Sequence, residues 1–208
     1  MSSSILESIS WLGHDTFRID GSQTIYIDPF RIDSGKTADL ILVTHEHYDH
    51  CSPEDIEKIQ GKNTLIVTES LSAKKLKGNV KIVKPGDKIE VSGITIEAVP
   101  AYNTNKKFHP KANGWLGFII EINGERIYHA GDTDLIPEMK NFKVDIALLP
   151  VSGTYVMTAE EAVEAALAIK PKTAIPMHYD SIVGSQENAL AFQEALAGKV
   201  EVRVLKKV

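Results

Sequence analysis

The sequence predicts an α/β (α+β) chain in which two β-sheets lie between outer helices. Strand-rich stretches are followed by helices in both halves of the chain, the pattern of sheets covered by helical layers. Leu40-Ile41-Leu42-Val43 is a run of apolar residues with no polar partner, which reads as a central strand covered on both faces. The chain has 208 residues, 43% apolar and 25% charged, enough for one domain with a sizeable core, spanning 1–208.

Trp11-Leu12 opens the first strand and leads to a second over 15–20. Gly21-Ser22 offers a two-residue turn into 24–27, where Ile25 and Ile27 alternate with Thr24 and Tyr26. After the buried strand, Ser52 caps a short helix with Pro53 at its first position, Glu54 and Asp55 at its positive end and Gly61 as its stop. Strands follow at 64–67, 80–83 and 94–98, the last alternating Ile94, Ile96 and Ala98 with Thr95 and Glu97. Asn123-Gly124 between 115–122 and 125–129 is the strongest hairpin signal, since both residues tolerate positive φ. A buried strand at 144–149 precedes Thr158-Ala159-Glu160-Glu161, a capping box opening a helix with Ala159, Ala162, Val163, Ala166 and Leu167 on one face. A strand at 173–175, a helix at 186–197 stopped by Gly198 and a strand at 200–205 complete the order.

Lys and Arg total 23 against 28 Asp and Glu, a net charge of −5, so no global positive field exists to hold nucleic acid or an anionic membrane. The first residues, Met1 to Glu7, lack a basic stretch followed by a long apolar run, and no segment approaches the ~18 apolar residues of a membrane span, so a cytoplasmic protein is expected. Seven His stand against a lone Cys51, which excludes an intramolecular disulfide framework and a multi-thiolate zinc site but leaves imidazole for metal or proton chemistry. Cys51 itself reads as a small buried side chain.

Directly after the buried strand, Thr44-His45-Glu46-His47-Tyr48-Asp49-His50 crowds three imidazoles and the Asp49 carboxylate at a strand end. Such groups repel one another when charged and lose solvation when buried, unless a cation holds them. The spacing is not H-E-x-x-H, because Asp49 stands where the second His would fall. Other strand ends carry Gly131-Asp132-Thr133 and Met177-His178-Tyr179-Asp180, and a polar loop between Tyr102 and Trp115 contains His109. Imidazole and carboxylate donors suit Zn²⁺ and also accommodate Mn²⁺ or Fe²⁺.

This ordered set, H-x-H-x-D-H, a loop His, Gly-Asp and a further strand-end His, resembles the metallo-β-lactamase fold superfamily over essentially the whole chain. Trp11-Leu12-Gly13-His14, Ile27-Asp28-Pro29 and Tyr128-His129-Ala130-Gly131-Asp132-Thr133 are similar to the branch containing ascorbate-6-phosphate lactonase-like proteins and many metal-dependent hydrolases. The resemblance implies a four-layer αββα sandwich of two mixed β-sheets with metals at one edge. It implies His45, His47 and His109 around a first ion, Asp49, His50 and His178 around a second, and Asp132 bridging them. His129 competes with His109; His109 is expected, because its loop can bend toward the edge whereas His129 lies within a strand, which leaves His129 to the core or to supporting the ligands or facing substrate. Two divalent metal ions, zinc before manganese or iron, would then be the cofactors.

A metal lowers the pKa of bound water from 15.7 toward ~7, so a bridging hydroxide is the expected nucleophile, oriented by Asp49 as the catalytic carboxylate. His14 either faces substrate or supports the ligands, or is plainly structural. Asp28 either orients a ligand imidazole or begins a turn. Gly35-Lys36-Thr37 is not a phosphate loop, since Phe30 stands at the first glycine position. Lys106, Lys107 and Lys111 around His109 could attract an anion, but a solvated loop is the simpler reading. Exported, extended or nucleic-acid-processing relatives are disfavoured by the missing leader, short length and acidic balance. The expected function is a hydrolase of a small ester, lactone or phosphodiester, with a small-molecule substrate and no nucleic-acid or membrane partner. The alternative is a metal-binding or ligand-sensing protein that keeps the site without turnover.

Overall fold

The structure, a computed structural model, describes residues 5–208; residues 1–4, part of the Met1–Glu7 stretch read for a leader, lie outside the described residues. Two sheets divide the chain by sequence. The first contains β1 (Ile9–Gly13), β2 (Thr16–Asp20), β3 (Thr24–Ile27), β4 (Ala38–Val43), β5 (Gln60–Thr68) and β6 (Asn79–Ile82) in that spatial order. Its β1–β3 portion is antiparallel and its β3–β6 portion parallel. The second sheet contains β7 (Lys88–Val91), β8 (Ile94–Pro100), β9 (Leu116–Ile122), β10 (Glu125–His129), β11 (Ile146–Pro150), β12 (Thr173–Met177) and β13 (Glu201–Val202), also in spatial order. It too changes direction, antiparallel from β7 to β10 and parallel from β10 to β13.

The helices are α1 (Pro53–Ile59), α2 (Ser70–Ala73), α3 (Ala159–Ile169) and α4 (Gln186–Ala195). β4 fulfils the expectation for a doubly covered strand. Leu40 and Leu42 join the main core with residues of the second sheet, whereas Ile41 and Val43 join Ile56 and Ile59 of α1 in a separate apolar cluster. Strand alternation therefore supplies both layers from one strand. The fold is the αββα sandwich, two mixed sheets between helical layers.

The Asn123-Gly124 turn joins β9 to β10 with φ of 52° and 81°, and Ile122 pairs with Glu125 across it. Ser52 caps α1 and the Thr158–Glu161 capping box opens α3. Several boundaries differ from the sequence reading. Asp20 pairs with Thr24, so Gly21–Gln23 form a three-residue rather than a two-residue connection. α1 ends before Gly61 because Gln60 is already extended and begins β5. The buried face of α3 is turned toward Ala165 and Ile169, leaving Leu167 exposed. β7 escaped the pattern because its alternation spans only partly exposed positions, and the 200–205 stretch pairs only at Glu201–Val202. No helix among the described residues is long and apolar enough to cross a membrane.

Candidate metal centre

The chemistry-bearing residues cluster where parallel strands end. Asp28 follows β3, the 44–50 segment follows β4, Asp132 follows β10, Ser152 follows β11 and His178 follows β12. Such carboxyl ends, open at one edge of an α/β sheet, are where ligand sites form. The β1–β2 turn adds His14 and the long β8–β9 loop adds His109. His14, Asp28 and His178 all adopt positive φ, 53°, 45° and 59°, a conformation that costs a non-glycine residue of order 1–3 kcal/mol.

Two donor groups result. His45, His47 and His109 form the first, with His45 Nε2 3.0 Å from His47 Nδ1. His14, Asp49, His50 and His178 form the second, with His14 Nε2 3.1 Å from Asp49 Oδ2. Asp132 stands between them. Its Oδ2 is 3.1 Å from His109 Nε2 and 4.0 Å from His45 Nε2, while its Oδ1 is 3.3 Å from His50 Nε2 and 3.4 Å from His178 Nε2. Trp115 packs against all three imidazoles of the first group, at ring-centroid distances of 4.8, 4.7 and 5.3 Å.

Outer contacts fix these rings. Asp28 Oδ1 accepts the backbone N–H of Thr44 at 2.8 Å, and its Oδ2 accepts the Thr44 hydroxyl at 2.7 Å and faces His50 Nδ1 at 2.8 Å. Asp28 thus orients an imidazole and anchors the start of the His-rich segment at once. His45 Nδ1 meets Thr44 Oγ1 at 3.0 Å, His178 Nδ1 meets Ser152 Oγ at 2.9 Å, and His109 Nδ1 lies 3.2 Å from Asn103 Oδ1 and 3.3 Å from the Tyr155 carbonyl. These contacts leave Nε2 of His45, His50, His109 and His178 pointing inward, the arrangement that positions imidazoles for metal binding.

The residues fit divalent ions. His50 Nε2, His109 Nε2 and Asp132 Oδ1 are buried, lie beside opposing donors and complete no hydrogen bond. Buried polar atoms are normally paired, and orphans that converge on one point mark a place for a cation. Electrostatics agree. Burial pushes His45 well below the ordinary imidazole range, helped by His50. Burial also opposes charge on His50 and His178, yet Asp132 raises His50 well above its ordinary value and lifts His178 to about 9. Burial disfavours the Asp132 carboxylate, but the His178 and His50 imidazoles hold it well below the usual carboxylate range. Asp132 demands positive charge around it, and a cation binding there would displace the imidazole protons that otherwise supply it. Burial raises Asp49 while the His14 hydrogen bond lowers it further, to about 2.

The metal-ligand candidates, with His14 and Asp28, lie in or beside this cluster, and His129 stands behind it. That ring is fully buried, with Nε2 2.9 Å from the Asp15 carbonyl and Nδ1 accepting from Gly131 N–H, and belongs to neither donor group. His14 stands within the second group, where its Nε2 meets Asp49 Oδ2. Thr44, Asn103, Ser152, Trp115 and Asp15 were not singled out. Ser152 shares the strand-end position that marked His178 and could have been found by it; Asn103 and Trp115 carry no local signal. Asp15 is buried, 4.0 Å from His50 Nδ1, with neither carboxyl oxygen hydrogen-bonded, and burial pushes its pKa well above the ordinary value.

A fold of two mixed sheets with such a cluster at one edge defines a metallo-β-lactamase-type protein. Residues 8–178 match the β-lactamase superfamily domain, and the chain belongs to that superfamily. It is similar to the UPF0173 metal-dependent hydrolases of Pyrococcus abyssi, 34% identical across 95% of this chain and 96% of the relative, and Thermoplasma acidophilum, 38% identical across 95% and 93%. The crystal structure of a protein assigned to the metal-dependent hydrolases in Parabacteroides distasonis superposes with a TM-score of 0.85 and 38% identity, covering 95% of this chain and 93% of that one.

Proposed function

We propose that the chain is a dinuclear metal-dependent hydrolase acting on a small ester, lactone or phosphodiester. The observation that carries this reading is the pair of donor groups sharing Asp132. His45, His47 and His109 would hold one ion, Asp49, His50 and His178 the other, and Asp132 would bridge them. Zinc suits the imidazole-rich set best, and manganese or iron would also be accommodated. When bound, the ions supply Lewis acidity that makes water a competent nucleophile near neutral pH and polarises the substrate oxygen.

The protein supplies orientation. His14 holds Asp49 through Oδ2, leaving its other oxygen to take the proton of the attacking water. The low pKa of Asp49 keeps that carboxylate ionised across the working range. Trp115 packs against all three imidazoles of the first donor group and so restrains their rings. We place the protein in the cytoplasm with small molecules, and not nucleic acid, as partners, consistent with a net charge of −5.

Metal analysis of the purified, reconstituted protein should give about two equivalents per chain. Lactones, thioesters and bis-aryl phosphates then test turnover. Asp49→Asn should lower kcat/KM by about 10²–10⁴-fold with most of the metal retained. Absence of transition metal, with content unchanged by His47→Ala, overturns the metal centre; metal and ligand binding without product points to a sensor instead.

A further inference from the structure

Of the lysines around His109, Lys106 and Lys111 are occupied, while Lys107 beside Phe108 is exposed. Lys106 Nζ lies 2.7 Å from Asp134 Oδ1 and 3.7 Å from Glu161 Oε2, and Lys111 donates to Glu138 Oε1 at 3.0 Å and to the Tyr102 hydroxyl at 3.1 Å. Beside the His-rich segment, Lys75 pairs with Glu46 at 3.0 Å. Positive charge that internal carboxylates already neutralise contributes little to holding a phosphate.

What the cluster's edge leaves uncovered is aromatic. Tyr48, Phe108 and Tyr155 are 66%, 52% and 37% exposed, and every exposed aromatic side chain among the described residues is one of these. Each adjoins a donor: Tyr48 lies between His47 and Asp49, Phe108 precedes His109, and the Tyr155 carbonyl faces His109 Nδ1. Phe108 and Tyr155 meet edge to face at 4.6 Å and form one continuous wall. Tyr155 holds its place there at φ 71°, a strained conformation for a bulky residue. On the other side, Tyr48 leans on Phe30, which in turn packs against His14. Ile82, Leu167, Leu190 and Val208 are exposed singly elsewhere, but the exposed aromatic surface gathers beside the donors, as it does where a ligand covers it.

Resting on the hydrolase reading, we propose that the substrate is a carboxylic ester or lactone whose acyl part carries an apolar chain or ring, laid along the Phe108–Tyr155 wall, in preference to a phosphate ester. Water adds to the carbonyl carbon, the bond from that carbon to the alkoxy oxygen breaks, and the alkoxy oxygen leaves with a proton from the water. The products are a carboxylate, its proton released, and an alcohol, joined as a hydroxy acid when the substrate is a lactone.

The test uses the full-length, zinc-reconstituted protein with γ-lactones of increasing side chain, from γ-valerolactone to γ-decalactone, beside 4-nitrophenyl phosphate and bis(4-nitrophenyl) phosphate. kcat/KM should rise at least about tenfold along the lactone series, mainly through KM, because each added methylene is covered by the wall. Phe108→Ser, and Phe108→Ser combined with Tyr155→Ser, should flatten that rise with zinc content unchanged. A flat or falling profile in the parent protein, a rise that survives both variants, or faster turnover of the phosphates overturns the proposal. If neither a lactone nor a phosphate is hydrolysed, the hydrolase reading fails separately, and calorimetry of the zinc-loaded protein decides the wall: decanoate binding at least about tenfold tighter than acetate supports it, and equal binding refutes it.

Discussion

His109 and His129 show what a single residue's setting decides. Both are buried imidazoles, His109 in the long β8–β9 loop and His129 at the end of β10, yet one lies against Asp132 and the other is spent on backbone groups of Asp15 and Gly131. His109→Ala should therefore remove metal, read as a loss of up to one equivalent per chain. His129→Leu should leave metal content intact and cost about 1–3 kcal/mol of stability, measured by denaturant unfolding, because two buried hydrogen bonds are lost. The residues of the cluster were legible where chemistry was crowded into one segment, as at 44–50. They were illegible where a side chain serves only as a partner: nothing around Asn103 in the sequence says that its carbonyl oxygen meets the His109 ring from six residues away.

At the scale of elements, α1 braces the loop that carries Phe30 and Arg31. Asp55, in its first turn, accepts the backbone N–H groups of Arg31 and Ile32 at 2.9 and 3.1 Å and the Lys58 ammonium at 2.9 Å. Burial opposes the Asp55 charge, but these hydrogen bonds outweigh it and hold the carboxyl below its ordinary range. A folded-state value below the unfolded one stabilises the fold at pH above the unfolded pKa of about 3.9, and that contribution fades as pH falls through the folded value. Asp55→Asn should thus destabilise the protein by about 1–3 kcal/mol near neutrality, with the gap to the parent closing below about pH 4, measured by thermal unfolding across pH. Element identity was legible wherever local signals agreed, as in the Asn123-Gly124 turn and the Thr158 capping box. Boundaries were not, because the end of α1 is set by Gln60 pairing with Ala38, a contact 22 residues distant that no local pattern records.

For the whole molecule, the sheet division matters most. β1–β6 lie entirely before β7–β13 in sequence, so each sheet is folded from its own half of the chain. The first donor group takes His45 and His47 from one half and His109 from the other; the second takes His14, Asp49 and His50 from one and His178 from the other. Occupancy should tie the halves together. At metal concentrations about a hundredfold above Kd, binding contributes about 2.7 kcal/mol, so chelation should lower Tm by about 5–10 °C in calorimetry at neutral pH. The sandwich itself was legible from the alternation of strand-rich and helical stretches, but the way both halves contribute to each group arises from long-range packing. The short 84–87 turn that joins the sheets is therefore a natural scission point: fragments cut there should behave as two subunits whose reassociation divalent metal promotes, making the protein a metal-gated split pair.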